Sequence, residues 1–184
     1  MKAISIHQPW ASLLVTGRKR FETRAWHTNY RGPLAIHASR LLTSIGTHLT
    51  TQKPYQQLLA TIGVDTYKDL VLGKILGQAT LVDCWRVMEI PDANLPTETE
   101  LAIGNFGTKQ GAREIWAWLF TDPKPLTTPF ATGGTLGLWE IDDYLYNQAE
   151  HRQSVTSELP CQPASDSPPP GLRPSGQGSG ATPL

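Results

Sequence analysis

Gly17-Arg18-Lys19-Arg20-Phe21-Glu22-Thr23-Arg24 is the stretch on which the fold of this chain turns. Here a glycine closes a short apolar helix, and four cations then surround a single carboxylate. If Lys19 to Arg24 forms a strand, alternation puts Arg20, Glu22 and Arg24 on one face and Lys19, Phe21 and Thr23 on the other. Nearby fixed positive charge keeps a carboxylate ionised and able to accept hydrogen bonds. An arginine fork can grip a phosphate or a base edge at two points. The same residues also suit a solvated strand face, where surface ion pairs contribute little. Their neighbours decide between the two.

Upstream, Ala3, Ser5 and His7 alternate with Ile4 and Ile6, the period of a strand. Pro9 then suits a first helical turn, where its missing N–H is not needed, and the helix Trp10 to Thr16 stops at Gly17. Trp10, Leu13 and Leu14 fall at i, i+3 and i+4, so core packing is the leading role; the alternative for Trp10 is a stacking platform at the helix mouth. Downstream, Asn29, Gly32 and Pro33 break the chain before a buried strand, Leu34 to Ala38. His37 lies on that strand and, with His7 and Glu22, could join a converging polar cluster.

Residues 41–61 have a helical pattern interrupted by Gly46 and Pro54, so two short helices are expected. Leu72 to Val87 is the longest strand candidate, with Gly73 and Gly77 placed where bulges would let a sheet curl. Residues 88–112 read as a long polar loop of the kind that borders functional sites. Glu114 to Phe120 is an apolar strand with Trp116 and Trp118 on one face, residues 123–130 are extended, and Leu136 to Ile141 closes the sheet. This inventory predicts an α+β domain, a small mixed β-barrel with short surrounding helices, over residues 1–147. Residues 148–184 are expected to form a disordered tail. Pro, Ser and Gly fill 17 of the 34 positions in 151–184, too few large apolar groups to offset the entropy of ordering.

The net charge is zero, which argues against a uniformly basic nucleic-acid coat, but it hides an asymmetry. Residues 1–40 hold seven Lys/Arg against Glu22 alone, a net +6, and residues 41–150 hold seven against thirteen Asp/Glu, a net −6. A localised anion-binding face would look like this. Two cysteines, Cys84 and Cys161, support neither a zinc site nor a disulfide framework. With no signal-peptide pattern at the N-terminus and no run of 18 apolar residues, the expectation is a soluble cytoplasmic protein without a membrane span. No phosphate loop, dinucleotide fingerprint, H-E-x-x-H or nucleophile elbow occurs, and no metal or cofactor is expected.

Taken together, I-S-I-H-Q-P-W-A-S-L-L-V-T-G-R-K-R-F-E-T-R (4–24), Y-R-G-P-L-A-I-H-A-S (30–39) and G-L-W-E-I (137–141) resemble the ASCH domain, a branch of the PUA-like superfamily. The family signature G-x-K-x-x-E-x-R is met by Gly17, Lys19, Glu22 and Arg24. The resemblance covers roughly residues 1–142. It implies a small β-barrel with a cleft lined by the signature residues, and RNA or nucleoside-like ligands. Lys19 and Arg24 would contact phosphate or polar base atoms, and Glu22 would accept from a base amino group, as carboxylates do from cytosine N4. Gln8, Trp10 and Thr23 would lie near the cleft, and His37 is added from the strand pattern. Some relatives are similar to an N4-acetylcytidine amidohydrolase or to ribonucleases, for which Lys19 and Glu22 would be the catalytic pair. Glu22 stands where the amidohydrolase has a threonine, so a binding module for RNA or a nucleoside leads, a hydrolase follows, and a protein-interaction scaffold is third.

Overall fold

The computed structural model describes residues 1–107 and 114–158, with side chains described as far as Arg152. The elements run β1 (Lys2–Ile6), α1 (Trp10–Val15), β2 (Phe21–Arg24), β3 (Gly32–Ala38), α2 (Ser44–Leu49), α3 (Lys53–Ala60), β4 (Lys74–Arg86), α4 (Glu98–Ile103), β5 (Trp116–Ala131), β6 (Leu138–Glu140) and α5 (Asp143–Glu158). Six strands form one mixed sheet in the order β2-β5-β4-β3-β1-β6. Among the described residues, only β1 and β3 run parallel.

The sheet curls into a half-barrel, and one contact demonstrates it. Strands β2 and β1 stand first and fifth in the order, which in a flat sheet would separate them by about 19 Å. Yet Arg24 Nη2 on β2 donates to the Ser5 carbonyl on β1 at 2.7 Å. A single side chain spans that gap only if the sheet is rolled. Register shifts between β4 and β5 at Ile75/Gly77, Gln78/Thr80 and Leu81/Asp83 supply the bending. Gly77 has φ of 155°, and a Cβ there would meet the Lys124 carbonyl oxygen and come within 2.6 Å of Val15 Cγ2. The absent side chain therefore lets α1 and β5 close on β4. The main core fills the concave side, with Ile4, Ile6, Leu14, Val15, Leu34, Ile36, Trp118 and Phe120 buried.

Helix α1 begins on a polar side chain. Gln8 is fully buried; its Oε1 accepts from the Ser12 backbone N–H at 3.1 Å, and its Nε2 donates to Ser12 Oγ and the Val71 carbonyl, both at 2.8 Å. At the other end Gly17 takes φ of 72°, and the Arg18 and Lys19 amides return to the Leu13 carbonyl, a glycine-terminated helix stop. This turn carries Lys19 behind α1 before β2 starts.

One expectation changes. The region read as a loop over 88–112 contains α4 and two single-turn 3-10 helices, Val87–Glu89 and Asp92–Asn94; residues 108–113 lie outside the described residues. Helix α5 runs Asp143–Glu158, and its first turn is held by Asp142 Oδ1 accepting from the Tyr144 N–H at 2.8 Å. The tail reading for 159–184 lies outside the described residues. Among those described, no helix is long and apolar enough to cross a membrane.

Candidate functional site

A cavity of about 440 Å³ opens between α1, β2, the α2–α3 pair and the end of α4, a size suited to a small ligand. Trp10, Lys19, Glu22 and Thr23 line it together with Ile45, Leu49, Tyr55 and residues 102–105. Among the described residues, strand β2 pairs only with β5, which makes it an edge strand of this sheet. Residues from both of its faces, Glu22 and Thr23, can therefore border one cavity along the free edge.

The floor is an ion cluster. Lys19 Nζ donates to Glu22 Oε2 at 2.6 Å, and Arg24 Nη2 stands 3.3 Å from Glu22 Oε1. The Lys19 and Glu22 side chains are 3% and 12% exposed. Burial would raise the Glu22 carboxyl pKa, but the Lys19 ammonium, the Arg24 guanidinium and the Lys19 hydrogen bond outweigh it and hold that pKa below the ordinary glutamate range. Two cations against one carboxylate leave the cluster with a net charge of +1 beside the cavity.

The simple alternation expected for 19–24 is corrected in two places. The strand begins at Phe21, so Lys19 sits in the preceding turn and joins Glu22, where alternation had separated them. Arg20, expected beside Glu22, instead turns to α4. Its backbone N–H and Nε donate to Glu100 Oε1 at 2.8 and 3.2 Å, and its Nη2 to Glu100 Oε2 at 2.8 Å.

Glu100 also closes a capping box with Thr97 at the start of α4. That buried carboxylate thus ties the cavity wall to β2. Glu100→Ala is expected to lower unfolding free energy by about 2–3 kcal/mol, through the lost cap and buried donors left unpaired. Denaturant titration measures it, and a loss below about 0.5 kcal/mol would show that Glu100 does not anchor the wall.

The far end of α4 is pinned as well. The Ile103 carbonyl, one of the groups a helix end leaves unpaired, accepts from Trp10 Nε1 and from Tyr55 Oη, each at 2.7 Å. Burial raises the Tyr55 pKa, partly offset by its contact with Trp10, so Tyr55 stays a neutral donor.

Of the residues singled out in the sequence, Trp10, Lys19, Glu22 and Thr23 meet at the cavity, and Arg24 adjoins it through Glu22. Gln8 does not border it, because its amide is taken up by Ser12 on α1 and the Val71 carbonyl. His37 lies on β3 at a separate pocket with Ser5 and Arg40. The wall residues Ile45, Leu49, Tyr55 and 102–105 were not singled out. One signal for the last group was present, since Thr97-x-x-Glu100 before Leu101-Ala102-Ile103 is a capping-box pattern. Among the described residues, no group of three or more His, Cys, Asp or Glu is arranged to hold a metal ion.

Fold and site together define a small α+β domain, a curled mixed sheet with short helices, that carries Lys19 and Glu22 at a cavity beside β2. The ASCH domain family model matches residues 4–130, and the chain belongs to the ASCH domain family. It is 29% identical over 147 residues to activating signal cointegrator 1 of Homo sapiens and, to the same extent, of Mus musculus. Those alignments cover 80% of this chain but 23% of the relatives, so the chain spans about a quarter of their length. Among solved structures it is similar to ASCH from Zymomonas mobilis, with TM-score 0.46, 14% identity, and coverage of 82% of this chain and 93% of that one. A mutant of the same Zymomonas protein gives 0.45, 14%, 85% and 94%.

Proposed function

We propose that this ASCH domain is a binding module for RNA or a nucleoside-like ligand, with the Trp10–Lys19–Glu22–Thr23 cavity as its cleft. The observation that supports this most is the buried Lys19–Glu22–Arg24 cluster beside a cavity that also holds a half-buried tryptophan. A carboxylate has about four acceptor positions, and Lys19 and Arg24 occupy one on each oxygen. Glu22 therefore retains capacity to accept from a base amino group such as cytosine N4–H. Trp10 offers a stacking surface, and the residual positive charge favours a phosphate.

The test is a titration of the full chain with a fluorescently labelled hexaribonucleotide at low and moderate salt, with cytidine 5′-monophosphate titrated separately by calorimetry. Binding should strengthen as salt falls. Ile45→Glu, at a rim position 64% exposed, adds negative charge without touching the core and should weaken both ligands. Absence of binding to either ligand at low salt would remove the reading.

One observation favours a second reading, a hydrolase acting on a modified pyrimidine nucleoside. The Thr23 side chain has no hydrogen-bond partner among the described residues and borders the same cavity as Lys19. Against it, the lowered Glu22 pKa weakens that carboxylate as a proton acceptor. Incubation with N4-acetylcytidine decides between them: release of cytidine and acetate, lost in Thr23→Val, would make the domain an enzyme.

A further inference from the structure

We infer that the ligand is a single strand of at least two nucleotides, whose second unit occupies a pocket formed by Ser5, His37, Arg40, Leu41 and the 133–136 segment. This rests on the binding reading above and extends it from one nucleoside to an oligonucleotide.

The second pocket, of about 390 Å³, carries the chemistry such a unit needs. Arg40 is exposed and has no carboxylate partner among the described residues, so its guanidinium is free to grip a phosphate. Leu41 and Leu136 are 63% and 98% exposed on the same pocket. Singly, exposed leucines need no explanation; here two of them flank one cation and offer an apolar bed for a base. Gly134 lies directly over the imidazole, where a Cβ would overlap His37 and approach Ser5 Oγ to 2.6 Å. Only a glycine lets that backbone come so close.

Ser5 joins this pocket to the first. Its carbonyl accepts from Arg24 Nη2 at 2.7 Å, and Arg24 in turn holds Glu22. Its hydroxyl accepts from Trp139 Nε1 at 3.2 Å and shares a 3.0 Å hydrogen bond with His37 Nδ1. Among the described residues, two buried side-chain nitrogens lack a hydrogen-bond partner, Arg24 Nε and His37 Nε2. They belong to the two residues that clasp Ser5 from either side. Both residues meet at the Ser5 junction that links the two pockets.

The spacing also suits a short strand. Leu41 borders the second pocket and Ile45 the first, and four peptide units span at most about 14 Å. That lies within the footprint of a few nucleotides. His7 donates from Nδ1 to the Leu41 carbonyl at 3.2 Å and is among the groups that lower the Glu22 pKa.

The experiment compares a labelled cytidine hexaribonucleotide with cytidine 5′-monophosphate on the full chain carrying Arg40→Ala or Leu136→Glu, both surface changes. The hexamer should bind wild type more tightly than the monophosphate. Arg40→Ala should weaken hexamer binding about tenfold at low salt and reduce the salt slope by about one, leaving the monophosphate unchanged. Leu136→Glu should likewise weaken only the hexamer. Hexamer affinity no higher than that of the monophosphate, or insensitive to both variants, overturns the two-pocket path while the first cleft stands. Binding of neither ligand overturns both.

Discussion

Lys19→Ala is expected to lower unfolding free energy by about 3–5 kcal/mol and to abolish ligand uptake by the cavity. The reason is what the substitution leaves behind. Glu22 would keep only Arg24, at 3.3 Å, with its carboxylate almost wholly out of water, and a buried charge stripped of its nearer partner is costly. The pH dependence gives a second readout. Folded Glu22 has a pKa below its ordinary value of 4.5, so its ion pairs stabilise the native state above that value. That stability is lost as pH falls through the lower, folded pKa. Wild type should lose stability in that acidic window, and Lys19→Ala should lose less there because most of the contribution is already gone. Lys19→Met combined with Glu22→Gln, which removes both charges, should recover part of the loss. Denaturant titrations between neutral and acidic pH measure all three, and an unchanged stability for Lys19→Ala would contradict a buried pair.

Trp118→Ala is expected to cost about 3–5 kcal/mol as well, for a different reason. Trp118 is fully buried, packs edge-on against Trp26 at 4.6 Å between ring centroids, and donates from Nε1 to the Trp26 carbonyl at 3.3 Å. It is also the cross-strand partner of Glu22 on β5, so the cavity floor rests on it. Truncation leaves a large void, an unpaired carbonyl and a loosened β2. Trp116→Ala, at a half-buried position two residues earlier, should cost clearly less. Equal losses in the two variants would show that the core is not centred where Trp118 lies.

Much of this fold was legible in the sequence because its elements carry local signals. Alternation gave β1, Gly17 stopped α1, and Pro54 marked the start of α3, whereas Gly46 lies inside α2 and the two helices part after Leu49. Gly77 marked a bend that the structure uses to seat α1. Faces were legible on β5, where Trp118 enters the main core while Ala117 and Leu119 pack with Phe21 on the other side. Less was legible where one residue departs from a regular period. Alternation from Lys19 presumes a strand that starts only at Phe21, so it misplaced both Lys19 and Arg20. Helix α4 was hidden among Pro91, Pro96 and the glycines that follow, although Thr97 and Glu100 announce it. Gln8, by type a ligand-binding side chain, is spent on Ser12 of the following helix and on the Val71 carbonyl.

The most direct test of the binding assignment follows the Trp10 indole N–H and the amides of Gly104 and Asn105 by 1H–15N NMR while the cytidine hexaribonucleotide is added. All three groups border the cavity, and the indole is bound to the Ile103 carbonyl, so a ligand entering beside Lys19 and Glu22 should shift them together and saturably. Saturable shifts confined to residues away from the cavity, or no shifts at low salt, would contradict the assignment.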